Sequence, residues 1–391
     1  MSRPLTIVSS RVRMAALAAT AALALAACNQ TDSVARKANK PLSPQMVALI
    51  SEKGMTPATP IMVRIFKEEA ELEVWKETSS GRYALLKTYP ICRWSGELGP
   101  KVRTGDRQAP EGFYAISPGQ MNPNSSYYLS FNLGFPNAFD KAYGRTGDFL
   151  MVHGDCSSAG CYAMTDEQIS EIFSLARESF AGGQRDFQVQ AYPFRMTPKN
   201  MARHRNNPNM AFWRNLKQGY DHFEVSRQVP KVNVCERRYV FDAQAVPGAR
   251  FDAEAACPPY QVDPSVAQAV AAKTRSDDAQ IAALSSGPTA PVRTNADGGM
   301  HPVFLAEIKR REGGSESAFA PQAPGTIPET TRPPRIVDDK SVADVGGPEK
   351  PVAAPASTGA QMAAQQPPVA TTTADGAVTT STVPLPAVAP R

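Results

Sequence analysis

The sequence predicts a β-rich α+β domain, a mixed sheet with inserted helices, followed by a long disordered C-terminal tail. Three observations predict it. Between about residues 43 and 259, short runs rich in Val, Ile, Leu and aromatics alternate with Gly, Pro and Asn clusters, the punctuation of strands and turns. A later stretch switches to helical periodicity. From about Ser265 onward there is no Cys, Trp or Tyr, and from about Pro321 the chain is dominated by Pro, Ala, Thr, Gly and Val. Such a composition cannot bury enough apolar surface to offset backbone ordering.

The elements follow in order. Pro44 to Ser51 predicts a short opening helix. Pro60 to Phe66, Glu71 to Glu77 and Arg82 to Tyr89 read as strands, the last two joined as a hairpin across Ser79-Ser80-Gly81. Further strands are expected over Gly112 to Ile116, Tyr127 to Leu133 and Phe149 to His153. Thr165-Asp166-Glu167 opens a helix whose Ile169, Ile172, Phe173, Leu175 and Ala176 form an apolar face, and Gly182-Gly183 stops it. Asp186 to Tyr192 alternates as a strand. Helices are expected over Pro198 to Arg205 and Asn209 to Tyr220, and one last strand over Lys231 to Phe241. The apolar patch Pro302 to Ile308 reads as a hydrophobic spot in the tail, with a short helix or docking segment as the alternative.

At the N-terminus, Arg3, Arg11 and Arg13 precede an apolar run from Met14 to Ala27. A basic segment, a short apolar core and small residues before a cut describe a secretory signal. The run is about 14 residues, short of the roughly 20 needed to span a bilayer. Leu25-Ala26-Ala27-Cys28 resembles a bacterial lipobox, in which Cys28 is lipidated and becomes the new N-terminus. An ordinary signal cleaved nearby is the alternative. Asn29 after Cys28 favours, by the same resemblance, the outer membrane of a Gram-negative bacterium.

The net charge of +5 is spread without a Lys/Arg block, so no nucleic-acid partner is implied, whereas a mild positive balance suits an anionic cell-wall polymer. Six cysteines are present, and lipidation of Cys28 leaves five: Cys92, Cys156, Cys161, Cys235 and Cys257. An odd number in an oxidising compartment forces at least one free thiol. Cys235 could pair with Cys257, and Cys92 with Cys156, which would leave Cys161 over. A Cys156–Cys161 disulfide is the competing arrangement.

Chemistry concentrates in Phe149-Leu-Met-Val-His153-Gly154-Asp155-Cys156-Ser157-Ser158-Ala159-Gly160-Cys161-Tyr162. An apolar strand delivers a His, and a loop of small residues ends in a Cys and an aromatic. The thiolate is the nucleophile, and a free Cys is only partly ionised at neutral pH. His153 could take the proton or hold an imidazolium beside the thiolate, then return it to a leaving amine. Gly154 and Gly160 would let the backbone approach a substrate, and peptide N–H groups near Cys161 would face a developing oxyanion. Zinc held by Cys156, Cys161 and His153 lacks a fourth ligand, so no metal or other cofactor is expected. His204 and His222 are assigned no role, Trp213 is expected in the core, and Trp94 could touch substrate, with core packing favoured.

Ser158-Ala159-Gly160-Cys161 resembles the Ser/Thr-His-Gly-Cys core of the YkuD-type L,D-transpeptidase domain, and Val152-His153-Gly154 its upstream His-Gly. Leu98-Gly-Pro-Lys-Val-Arg-Thr-Gly105-Asp106-Arg-Gln-Ala-Pro110-Glu111-Gly112 resembles the Gly-Asp…Thr-Pro-Glu-Gly strand entry of that family. The compact His-Gly-x-Cys-x-Ser-x-Gly-Cys-aromatic form is similar to the YafK-like branch. His153 stands only eight positions before Cys161, Ala159 replaces the usual His, and Ala163 or Met164 replaces an Asn or Arg.

The resemblance implies Cys161 as nucleophile and His153 as base. Ser158 would shape the loop or position His153, with Gly160 in the same loop, and Gly154 and Tyr162 would contact substrate; Arg145, just before the His strand, could grip a substrate carboxylate through its guanidinium, with a solvated surface Arg as the alternative. It implies acyl transfer on peptidoglycan stem peptides: attack on the L,D-amide after meso-diaminopimelate, then passage of the thioester to an amine. Hydrolysis releasing D-Ala or wall-linked outer-membrane lipoproteins is one alternative, and a non-catalytic, lipid-anchored wall-binding protein is the other. The expected organisation is a lipoprotein signal (1–28), a linker (29–42), the catalytic domain (43–262) and a low-complexity tail (263–391), in the periplasm.

Overall fold

The computed structural model describes residues 34–294 and 298–312. The signal, Cys28 and the Pro-rich tail lie outside the described residues. A helical turn α1 (34–38) and helix α2 (Pro44–Glu52) lead into β1 (Ile61–Phe66), β2 (Glu71–Glu77), β3 (Tyr83–Pro90) and the short β4 (Arg93–Trp94). Then come β5 (Gly112–Ile116), β6 (Met121–Asn122), β7 (Ser130–Asn132), α3 (Ala138–Ala142), β8 (Met151–His153) and β9 (Tyr162–Ala163). Helix α4 (Asp166–Ala181), β10 (Phe187–Tyr192), α5 (Pro198–Arg203) and α6 (Met210–Ser226) follow. Last are β11 (Val232–Cys235), β12 (Arg238–Phe241), β13 (Gln244–Ala245), β14 (Tyr260–Gln261), α7 (Pro264–Leu284) and α8 (Pro302–Glu312).

Two five-stranded mixed sheets form the body. The first has the order β3-β2-β1-β10-β5, parallel only between β1 and β10. The second has the order β4-β9-β8-β7-β6, parallel only between β8 and β9. Strand β1 is buried along its whole length because both of its faces are covered. Ile61, Val63 and Ile65 join a core with Val152 and Tyr162 of the second sheet and Ile169 and Ile172 of α4. Phe66 points the other way, into a cluster with Trp213 and Leu216 of α6 and Tyr239 and Phe241 of β12. The second sheet is therefore backed by the first and keeps its short strands in place through that shared core.

The structure corrects several expectations. Lys231 to Phe241 is not one strand but the hairpin β11–β12, turned at Glu236 and Arg237, whose φ values are +51° and +55°. Phe149, at φ +51°, breaks the expected strand, so β8 begins at Met151. Order also continues past residue 262. Helix α7 docks on α6 through Lys217, which lies 2.5 Å from both Asp221 and Asp277, while Lys273 reaches Asp277 at 2.7 Å. The patch at Pro302 is helix α8. At the other end, the stretch read as linker is partly docked: Arg177 and Ser174 of α4 donate to the carbonyls of Ala38 and Lys40. None of the described helices is long and apolar enough to cross a membrane.

Candidate active site

The parallel pairing of β8 with β9 sets the segments that carry His153 and Cys161 side by side. Val152 stands opposite Tyr162 and His153 opposite Ala163. One residue earlier the same register sets Cys161 beside Met151, whose N–H points to Cys161 Sγ at 3.4 Å. Side chains alternate along a strand, so Met151, His153, Cys161 and Ala163 share one face, with His153 and Cys161 as diagonal neighbours. Tyr162, between them, points to the opposite face. The methyl of Ala163 leaves the space beside the imidazole unfilled by a longer side chain.

His153 is 3 % exposed, with the ring of Tyr127 tilted against it at 4.7 Å. Its Nδ1 lies 2.5 Å from the Gly154 carbonyl. A carbonyl can only accept, so Nδ1 carries the proton and Nε2 is the basic nitrogen. Burial pushes the imidazole below its ordinary 6.5, against the Gly154 hydrogen bond. Cys161 is half-buried and free, and its Sγ–H has a long contact of 3.9 Å to the Phe149 carbonyl. Burial pushes its thiol above 9.0, opposed by the Met151 N–H and the charge of Lys101. Both groups are therefore neutral at rest near pH 7.

The loop before Cys161 is held at three points. Cys156 is bonded to Cys92 and Cys235 to Cys257, so among the described cysteines Cys161 alone is unpaired, and the Cys156–Cys161 alternative is overturned. Ser158 Oγ donates to the Cys161 carbonyl at 2.7 Å, accepts from the Cys161 N–H at 3.1 Å, and accepts from Ser95 Oγ at 2.8 Å. Gly160 has φ +127°, a conformation that an L side chain rarely takes. The Cys161 amide is thus engaged by Ser158 and is not an open oxyanion donor in this state.

Three residues read as substrate contacts are placed otherwise. Tyr162 is 0 % exposed and donates to the Pro110 carbonyl at 2.6 Å, so it is a core residue. Gly154 is buried, and a Cβ there would stand 2.5 Å from Asp166 Oδ1 and 2.9 Å from the Tyr127 carbonyl, so its smallness serves packing within the chain. Arg145 is ion-paired to the buried Asp140 at 2.7 Å and lies over Phe139 and Phe212, which leaves its guanidinium committed. Trp213 is core, as expected, donating to Glu111 Oε2 at 2.8 Å. Of the histidines given no role, His204 stacks on Phe194 and His222 bonds Asp242 at 2.7 Å.

The stretch from Leu98 to Gly112 folds against the nucleophile loop. Glu111 Oε1 accepts from Gly99 N–H and from buried Lys67, and Asp106 accepts from Lys101 and from the amides of Val102 and Arg103. This places the Lys101 charge within range of Cys161 and the Arg107 backbone 3.7 Å from where a Cβ on Gly160 would be. Sequence reasoning missed Ser95, Lys101, Arg107 and Tyr127 as neighbours of the site. Lys101 and Arg107 stand inside the stretch that carries the family resemblance; Tyr127 left no local signal.

No family model matches the chain. It is 49 % identical over 182 residues to a protein of Escherichia coli K12 named "Putative L,D-transpeptidase YafK", covering 46 % of this chain and 74 % of that protein. The protein of E. coli O157:H7 with the same name matches equally. Among solved structures, the helical cell shape determining protein Pgp2 from Campylobacter jejuni is similar at 21 % identity and TM-score 0.29, over 39 % of this chain and 56 % of that one. Bdellovibrio bacteriovorus Bd1075 is similar at 18 % identity and TM-score 0.25, over 35 % and 49 %. The chain thus spans about half the length of these two structures.

Proposed function

The chain belongs to the YafK-like L,D-transpeptidase family, and on that premise we propose that it is a cysteine acyltransferase acting on peptidoglycan stem peptides. The observation that carries the proposal is the pairing of every other described cysteine, which leaves the Cys161 thiol free one residue before β9, the strand paired with the one that ends in His153. Cys161 attacks the L,D-amide after meso-diaminopimelate as His153 Nε2 takes the thiol proton. The imidazolium returns that proton to the departing amine, D-Ala or a linked protein, and a thioester remains. A second amine, deprotonated by His153, closes a new amide and restores the thiol; water in its place gives hydrolysis. Digesting muropeptides with the purified protein tests the reading by mass spectrometry. New dimers support transpeptidation, tripeptide ends without dimers support hydrolysis, and unchanged muropeptides defeat both.

In this reading the lipobox at Cys28 anchors the enzyme at the periplasmic face of the outer membrane, where wall-linked lipoproteins are a further donor class. The mechanism calls for no cofactor. The substrate carboxylate falls to Arg107 instead of Arg145: its backbone stands beside Gly160, and its residue is exposed with no ion pair among the described residues. Guanidinium grips carboxylate bidentately. Arg107→Ala is expected to raise KM about tenfold, the scale of one exposed charge-assisted contact, with kcat little changed. Steady-state kinetics on a tetrapeptide donor checks it.

A pH profile checks the neutral resting pair. Because burial holds the imidazole below 6.5, the base form persists into mild acid, and the acid limb of kcat/KM is expected below pH 6.5. Because burial holds the thiol above 9.0, iodoacetamide alkylation of the substrate-free protein should climb steadily until above pH 9. A flat alkylation plateau from pH 5 to 8 would instead mean a preformed thiolate–imidazolium pair.

A further inference from the structure

Strand β4 is the outermost strand of the second sheet, and past α7 the chain returns to its open side. There Gly298–His301 runs antiparallel to β4, with Trp94 bridged to Gly299. The amides of Gly298, Gly299 and His301 donate to the carbonyls of Gly96, Trp94 and Ile91 at 2.7, 3.0 and 3.1 Å. In return the Trp94 N–H donates to the Gly299 carbonyl at 3.0 Å. A sheet edge with unpaired N–H and C=O groups is a template for an added strand. Here the chain's own segment fills it.

The fit demands small residues. A Cβ on Gly298 would stand 1.7 Å from the Trp94 carbonyl oxygen, and one on Gly299 would stand 2.7 Å from Trp94 Nε1. Gly298 also has φ +72°, open to glycine or to a D-residue but strained for an L side chain. A second observation points to another occupant. Trp94 is 5 % exposed and its Nε1–H has no hydrogen-bond partner. Buried polar groups are nearly always bonded, and Gly299 covers the indole while its carbonyl accepts from the Trp94 backbone N–H instead. The segment uses the backbone of the edge and leaves its one buried side-chain donor unanswered.

The edge also reports to the nucleophile. Continuing the registers by one residue sets Gly298 opposite Ser95 and Ser95 opposite Cys161, about 10 Å apart overall at two strand spacings. Ser95 Oγ is the donor that holds Ser158. We propose that the β4 edge is a strand-addition surface for an extended peptide with glycine or a D-residue opposite Ser95, occupied at rest by Gly298–His301. The identity of that peptide as a stem peptide rests on the acyl-transfer reading; the surface itself does not.

Amide hydrogen exchange of the full-length Gly298→Val protein tests it. Exchange of the Trp94 N–H should quicken at least tenfold while amides of β1 and β10 hold. The peptide acetyl-Asp-Gly-Gly-Met-His-amide, added at millimolar concentration, should slow it again. A version with D-Ala in place of its first Gly should do the same, and one with L-Ala should not. A Trp94 amide as slow in Gly298→Val as in the parent overturns the proposal, and so does an opened edge that no peptide protects. Equal protection by the D-Ala and L-Ala peptides overturns the stereochemical part. If Gly298→Val also loosens β1, the milder Gly299→Ala carries the same comparison. The readout needs no turnover, so an inactive Cys161 leaves it intact.

Discussion

Cys161→Ala is expected to lower acyl transfer by at least about 10³-fold while leaving the melting temperature nearly unchanged. Two facts separate the effects. The residue is partly buried, and the sulfur's polar contacts are one amide at 3.4 Å and one carbonyl at 3.9 Å, so little packing is lost. In the proposed reaction, by contrast, the sulfur is the atom that bonds to substrate, and no neighbour can replace it. Cys161→Ser separates nucleophilicity from shape: the hydroxyl fits, yet an alcohol is far less acidic than a thiol and His153 is backed by a carbonyl, not a carboxylate, so activity stays near that of the alanine variant. Intact-protein mass spectrometry after exposure to a carbapenem gives a second readout. The parent should gain one acyl adduct and both variants none. More than a tenth of parental turnover in Cys161→Ala would remove this residue from the chemistry.

The parts legible in the sequence were those whose signal is local. The β1, β2 and α4 runs carry an aliphatic and aromatic composition or a helical periodicity within a single stretch, and their observed bounds lie within a residue of the expectation. The β11–β12 turn hid because Glu236-Arg237 lacks the Asn or Gly that normally announces two positive φ values. Helix α7 hid because its docking stripe of Val266, Val270, Lys273, Asp277 and Ile281 has charges at its centre, and their partners Lys217 and Asp221 are more than 50 residues earlier. In the candidate site, one short motif singled out His153 and Cys161, and the structure sets their segments on neighbouring strands. Tyr162 was misread for a reason of parity: standing next to the nucleophile on a strand puts a side chain on the opposite face, here the core. Ser95, Lys101 and Tyr127 reach the site from other segments: Ser95 by the pairing of β4 with β9, Lys101 by the loop that Asp106 holds, and Tyr127 by the Gly154 N–H that its carbonyl accepts.

Loss of the Cys92–Cys156 bridge should act on the site more than on the fold around it. The bridge spans a sequence separation of 64, for which loop closure predicts about 4 kcal/mol of stabilisation. Cys156 opens the nucleophile loop at φ +31°, and its N–H has only a 3.3 Å bond to the Met164 carbonyl to hold it otherwise. The single and double variants should therefore differ. Cys92→Ala leaves the Cys156 thiol five positions before Cys161 on a loosened loop, free to oxidise to it. That variant is expected to be inactive as purified in air, to carry a Cys156–Cys161 disulfide in a non-reducing peptide map, and to recover with reductant. The double variant Cys92→Ala/Cys156→Ala has no competing thiol, so it should melt lower than the parent, keep a fraction of its activity, and ignore reductant. The parent should lose activity as reductant opens the bridge. This opposite response to one reagent separates a bridge that guards the nucleophile from one that only stiffens the chain. A Cys92→Ala protein fully active in air would show that the loop keeps its shape, and Cys161 its freedom, without the bond.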